Sequence, residues 1–207
     1  MTIMPENEKT VCVILSGGAS SRMKMHKALL KISEENNFLQ HIIDVYQKAG
    51  IDKIFVVKNS NIDITEMGID PSRVSIIDNF YPDRGRIFSL QLGLNKAQNA
   101  DYCFIQNIDN PLISIDLLKS LYSVRTKADY ISPECNNIGG HPIIISASVI
   151  KIITASSADQ EHTLRDILQP HSRHILVTND EGCIMNINLP SDYKKVILTM
   201  NKNHVVP

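Results

Sequence analysis

The chain has 207 residues, of which 43% are hydrophobic, and this is enough for one continuous core. Its 21 basic and 22 acidic side chains give a formal net charge of -1, which argues against binding of nucleic acid through a global positive field. We expect a single domain over residues 1–207, with a core at about 11–200 between two tails. The N-terminus lacks an apolar signal region, and no apolar stretch reaches the roughly 20 residues that span a bilayer. A cytoplasmic protein without a membrane partner is therefore predicted.

Short β-branched runs alternate with helical patterns through the first half of the chain. Four runs are predicted to be buried strands, at residues 10–15, 53–57, 74–78 and 101–108. Helices are predicted at 38–50, where Gly50 ends the pattern, and at 114–124, where Ser114 is the expected N-cap. This order predicts an α/β fold with a mostly parallel sheet that is covered on both faces.

The second half of the chain is less regular. Its predicted elements are a strand entered through a tight turn at 139–146, a short helix at 163–169, a strand at 174–178, a closing helix at 189–200 and a loose tail from 201.

The first predicted strand leads directly into a loop that is rich in glycine, serine and basic residues. A parallel strand that ends at Leu15 delivers this loop to the carboxyl edge of the sheet, where open α/β folds bind ligands. Gly17 and Gly18 allow close approach of backbone N–H groups to phosphate oxygens, and Arg22 offers a planar fork for two of them. A turn that only connects two elements is the alternative. The Walker and dinucleotide-binding glycine patterns are both absent.

The same loop resembles the L-x-x-G-x-S-x-R-M-G-x-x-K signature of the MobA-like NTP transferases, which are nucleotidyltransferases of the molybdenum-cofactor type. The matching positions are Leu15, Gly18, Ser20, Arg22, Met23 and Lys27. Lys24 stands where the family usually has glycine. The resemblance implies a three-layer, Rossmann-like nucleotidyltransferase fold. The nucleotide-binding residues that it implies are Leu15, Ser16, Gly17, Gly18, Ser20, Ser21, Arg22 and Lys27, together with Ser89.

A carboxylate follows the predicted strand at 101–108. Asp109 would emerge at the same sheet edge as the loop, and Mg²⁺ bound to nucleotide phosphates commonly uses only one or two protein carboxylates. An aspartate before Asn-Pro is also a common turn or helix-cap residue. The family's D-x-P-L segment favours the metal site, and the resemblance of "NLPSD" to the family's C-terminal motif adds Asn188 as a second metal ligand. The implied cofactor is Mg²⁺.

Two further segments resemble family elements. Residues 83–94 are similar to the G-M-x-x-S-L-x-x-G-L element near the nucleotide, although Arg86 replaces a small or apolar residue. The "GGHP" segment implies that Gly140 and His141 bind the acceptor, with an ordinary turn as the alternative.

The resemblance implies transfer of NMP from an NTP to a phosphate-bearing acceptor such as molybdopterin, with Arg22, Lys27 and Asp109 as catalytic residues and with release of pyrophosphate. CTP is favoured and GTP is the alternative base. A molybdoenzyme or cofactor-insertion protein is the implied protein partner. Transfer to a sugar phosphate or another small phosphometabolite, a non-catalytic nucleotide-binding protein and a dinucleotide-dependent oxidoreductase are the competing hypotheses.

Overall fold

The computed structural model describes residues 8–17, 26–63, 65–157 and 163–203. The strands are β1 (Thr10–Ser16), β2 (Ile54–Asn59), β3 (Ser75–Asn79), β4 (Tyr102–Asn107), β5 (Tyr130–Cys135), β6 (Ile138–Gly139), β7 (Ile143–Ser146) and β8 (Arg173–Val177). The α-helices are α1 (Phe38–Lys48), α2 (Gly85–Lys96), α3 (Ile115–Ser123), α4 (Ala147–Ala155), α5 (Leu164–Leu168) and α6 (Pro190–Asn203).

All eight strands belong to one sheet, in the order β3-β2-β1-β4-β7-β5-β6, with β8 paired to β5. Strands β1 to β4 are parallel to one another, whereas β7 runs antiparallel to both β4 and β5. The predicted α/β fold with a mostly parallel sheet is therefore confirmed. Strands β5 and β6 and helix α4 were not predicted.

Alternation along β1 supplies both faces of the core. Cys12 and Ile14 pack with α1 and α3 on one face, and Val11 and Val13 pack with α2 and α4 on the other. Such two-sided burial explains the nearly continuous apolar sequence of β1. The prediction that all four early strands are fully covered was wrong for β3, which is an edge strand and exposes Ser75 and Asp78.

The predicted helix ends agree with local chemistry. Ser114 is the N-cap of α3, and its hydroxyl accepts a hydrogen bond from the Leu117 amide. Helix α1 is followed by Gly50 in the left-handed region, with φ of 90°. Helix α6 continues through Asn203, so the prediction of a loose tail was wrong for residues 201–203. Residues 204–207 lie outside the described part.

Helix α2 approaches the sheet closely at Gly93. A Cβ at this position would lie 2.5 Å from Val13 Cγ1 and 3.0 Å from Val57 Cγ2, so only glycine fits without a shift of the helix. This contact sets the height of α2 above the sheet, and α2 carries Arg86 and Ser89 at the carboxyl edge of the strands. None of the described helices is both long and apolar enough to cross a lipid bilayer.

Candidate active site

Three side chains that are far apart in sequence meet at the carboxyl edge of the sheet. The Lys27 ammonium donates a hydrogen bond to Asn188 Oδ1 at 2.7 Å, and it lies 3.6 Å from Asp109 Oδ2. The Lys27 and Asp109 side chains are 13% and 29% exposed, so the pair is partly shielded from solvent but remains accessible. Three short sequence motifs each predicted one of these residues for the same site, and in the structure the three side chains lie together.

Hydrogen bonds of Asp109 and of its neighbour Asn110 fix the backbone at this position. The Asp109 carbonyl oxygen accepts from the Ile187 amide at 2.7 Å. The neighbouring Asn110 is fully buried and donates its side-chain amide to the carbonyl oxygens of Gly182 (3.0 Å) and Met185 (2.9 Å). These bonds tie the turn after β4 to the segment that leads into α6. The side chains of Asp109 and Asn188 are thereby held on one rim.

The donor set of this rim fits a hard divalent cation. Asp109 Oδ1 is buried and has no hydrogen-bond partner among the described residues, although a buried carboxylate oxygen normally has one. Asn188 adds a neutral amide oxygen. The described residues contain no cluster of three or more His, Cys, Asp or Glu that would suit a softer or fully protein-held metal. One carboxylate plus one amide is the pattern expected when phosphates and water complete the shell of Mg²⁺.

Asn188 is oriented by the first turn of α6. The Asp192 carboxylate accepts from the amides of Asn188 (3.1 Å) and Leu189 (2.9 Å), and these two bonds lower the pKa of Asp192. Asp192 therefore holds the backbone of Asn188, and its charge complements the helix N-terminus.

A second group of predicted residues lies at the end of β1. Leu15 is buried, and its carbonyl oxygen accepts from the Ile108 amide at 3.1 Å, which links β1 to the turn after β4. The Ser16 hydroxyl is buried without a hydrogen-bond partner in the described part of the chain. A Cβ added to Gly17 would lie 3.4 Å from the Ser89 hydroxyl oxygen. Ser89 therefore lies beside Gly17, the first residue after β1.

Ser89 also contacts Asn79, which the sequence did not single out. The Asn79 side-chain amide donates to Ser89 Oγ at 2.9 Å, and both side chains are buried. The predicted residues Gly18, Ser20, Ser21 and Arg22 lie outside the described residues, and so does Lys24.

A cavity of about 850 Å³ lies between the start of α2, the strands β5 to β7 and helix α5. The predicted acceptor residues Gly140 and His141 both line it. Its positively charged lining among the described residues consists of Arg84, Arg86, Arg165 and Arg173, and its acidic lining there is Asp83 alone. The sequence had flagged Arg86 only as a departure from the family pattern and had not singled out the other three arginines.

Arg86 connects the cavity to the Lys27 site. Arg86 donates a hydrogen bond to Asn107 Oδ1 at 2.5 Å, at the end of β4. Burial of its guanidinium lowers the pKa of Arg86, and the Asp109 carboxylate raises it. The side chain as a whole is exposed, because it borders the open cavity. Burial and the Arg86 charge lower the pKa of His141 to about 4, again against the influence of Asp109. His141 is therefore a neutral ring near pH 7.

The Gly139-Gly140 turn positions His141 for a steric reason. A Cβ at Gly140 would lie 2.5 Å from the Cys183 carbonyl oxygen, and the His141 amide donates to that same oxygen at 2.8 Å. The segment that holds Asn110 through Gly182 thus also holds the acceptor-side turn through Cys183.

Comparisons with known proteins show the family of the chain. The family model described as a MobA-like NTP transferase domain matches residues 12–175. A probable molybdenum cofactor guanylyltransferase of Clostridium perfringens (strain SM101 / Type A) is 30% identical over 127 residues, which are 61% of this chain and 60% of the relative's length. The molybdenum cofactor cytidylyltransferase of Escherichia coli (strain K12) is 25% identical over 182 residues, which are 88% of this chain and 92% of the relative.

A solved structure shows the same fold. The crystal structure of molybdopterin-guanine dinucleotide biosynthesis protein A from Archaeoglobus fulgidus superposes with a TM-score of 0.68. The match is 17% identical and covers 92% of this chain and 98% of that chain.

Proposed function

Because the chain belongs to the MobA-like NTP transferase family, we propose that it transfers NMP from an NTP to a phosphate-bearing acceptor of the molybdopterin type and releases pyrophosphate. CTP is the favoured donor and GTP the alternative. The observation that carries the proposal is the convergence of Lys27, Asp109 and Asn188 on one rim beside a basic cavity. A molybdoenzyme or cofactor-insertion protein is the proposed recipient of the product.

In this reaction an oxygen of the acceptor phosphate forms a bond to the α-phosphorus of the NTP, and the bond from that phosphorus to the β-phosphate oxygen breaks. A phosphate nucleophile is already ionised near neutral pH, so the site needs no serine nucleophile and no strong general base. Catalysis then depends on positioning and on stabilisation of charge. His141, as a neutral ring, offers hydrogen bonding to the acceptor and not a fixed positive charge.

Asp109 and Asn188 are the proposed ligands of Mg²⁺, and the orphaned Oδ1 of Asp109 is the atom that such an ion would satisfy. When bound, the ion neutralises phosphate charge and helps to align the reacting groups. Lys27 and Arg22 are proposed to stabilise the negative charge on the α-phosphate and on the leaving pyrophosphate.

The donor's base and ribose are proposed to lie near Ser89, and the backbone N–H of Gly17 is proposed to face the phosphates. The Ser16 hydroxyl and the Ser89–Asn79 pair border this position. Gly18 and Ser20 to Arg22, which lie outside the described residues, are proposed to complete the triphosphate site.

The test is the isosteric substitution Asp109→Asn. It removes the charge that attracts the cation, and loss of one such electrostatic contact lowers turnover by about a hundredfold. Pyrophosphate release is measured with CTP or GTP, molybdopterin and Mg²⁺. Asp116→Asn, at an exposed position on α3, is the matched control and keeps wild-type turnover. Equal turnover in wild type and Asp109→Asn would refute the mechanism, and nucleotide binding without pyrophosphate release in the wild type would favour an accessory role.

A further inference from the structure

The cavity beside the proposed catalytic rim carries more positive charge than one phosphate requires. Four arginines line it, and Asp83 is the one acidic residue among its described lining. Arg86 is the arginine tied to the rim, because it bonds Asn107 at the end of β4 and is influenced by Asp109. A reacting phosphate beside the rim would use Arg86 and leave the charges of Arg165 and Arg173 without a counter-ion.

Arg173 is held in position by a buried partner. Its Nε donates to Ser132 Oγ at 2.8 Å, and Ser132 is only 5% exposed. A terminal nitrogen of the same guanidinium lies 3.6 Å from the position of a Cβ on Gly139, so the side chain extends along the sheet toward the turn that contains His141. Its terminal nitrogens have no hydrogen-bond partner among the described residues. A guanidinium fixed by its Nε presents its other donors in a defined direction, as bidentate anion binding requires.

Arg165 lies on α5, on another wall of the same cavity. Its guanidinium has no hydrogen-bond or ion-pair partner in the described part of the chain. The cavity lining also includes the largely apolar side chains of Tyr130, Ile143, Leu164 and Leu168. A lining that combines apolar side chains with arginines on separate elements suits a partly apolar molecule that carries anionic groups at two points.

We propose that the acceptor carries a second anionic group in addition to the reacting phosphate, and that Arg173 and Arg165 bind this second group. The inference rests on the proposed function, since it assigns the cavity to the acceptor, and it specifies the acceptor's chemical class. Arg173 and Arg165 are exposed and therefore accessible to a ligand, and an acceptor with a phosphate alone would leave both without an anionic partner among the described residues. Arg173 and Arg165 are thus specificity-determining residues and not participants in bond making.

The experiment uses alkane bisphosphonates of increasing chain length as probes, each compared with the monophosphonate of the same length. Binding to the full chain is measured by calorimetry in metal-free buffer, so that neither turnover nor chelation enters. At one or more chain lengths, wild type binds the bisphosphonate about tenfold more tightly than its monophosphonate, which is the strength of one charged hydrogen-bond contact. Arg173→Gln and Arg165→Gln each reduce this preference.

Arg73→Gln is the matched control, because Arg73 is a surface arginine paired with Asp44. It retains the wild-type preference, and thermal melting shows whether each variant is folded. The proposal is overturned if no bisphosphonate exceeds its monophosphonate in wild type, or if the preference survives in both Arg173→Gln and Arg165→Gln. Failure of pyrophosphate release with intact bisphosphonate preference would instead overturn the proposed function and leave the dianion site standing.

Discussion

The ammonium of Lys27 lies where a divalent cation would contact Asp109 and Asn188. Replacement of Lys27 by methionine keeps a side chain of similar length but removes the charge. Two unit charges 4 Å apart interact by about 1 kcal/mol at the dielectric constant of water, so a unit charge and a divalent ion repel by roughly 2 kcal/mol. The partial burial of this pair lowers the effective dielectric constant, so the repulsion is at least this large. We therefore expect Mn²⁺ to bind Lys27→Met at least about tenfold more tightly than wild type.

The assay is titration of the nucleotide-free protein with Mn²⁺, followed by electron paramagnetic resonance of the free ion. Lys27→Arg, which keeps the charge, binds Mn²⁺ as weakly as wild type. Turnover falls in Lys27→Met, because the proposed phosphate contact is lost while the metal affinity rises. Equal or weaker Mn²⁺ binding by a folded Lys27→Met would show that the ammonium does not compete for the site. Wild-type affinity independent of ionic strength would contradict the electrostatic origin.

Two further predictions concern the acceptor side of the site. In metal-free buffer, NMR titration of His141 gives a pKa of about 4, and Arg86→Gln raises it because a neighbouring cation is removed. The folded-state pKa of His141 lies below the ordinary value of 6.5, so its contribution to stability is complete above pH 6.5 and is lost as the pH falls toward 4. Urea unfolding at several pH values measures this loss. Gly140→Ala lowers the free energy of unfolding by about 1–3 kcal/mol through overpacking against Cys183, whereas Gly139→Ala, whose Cβ would meet its nearest neighbour at 3.6 Å, has little effect.

Strands β1, β2 and β4 were predictable because their sequences are dominated by buried apolar residues, whereas the edge strand β3 exposes part of its sequence. The second half was harder for a physical reason. Strand β5 carries Ser132, Pro133 and Glu134 within its six residues, so its sequence lacks an apolar run, and tertiary pairing with β7 and β8 makes it a strand. Strand β6 has only two residues, which is too short for any periodic signal.

The site was predictable to the extent that its residues follow strand ends. Asp109 and Ser16 come directly after or at the end of apolar runs, and parallel strands bring such positions to one edge. Arg165 and Arg173 have no such local signal. Arg173 reaches the cavity only because its side chain extends past Ser132 toward Gly139, and this direction depends on packing between distant segments.

The two hydrogen bonds of Asn110 have a consequence for biosynthesis. A growing chain that has not yet released Gly182 and Met185 from the ribosome already contains Lys27 and Asp109, but it offers no acceptors for this buried amide. An unpaired buried amide is costly, so the turn after β4 gains its final conformation only when the C-terminal segment docks. We therefore expect nascent or truncated chains that lack the segment 182–188 to have no competent cation site, and enzymatic competence to be acquired only after that segment has docked.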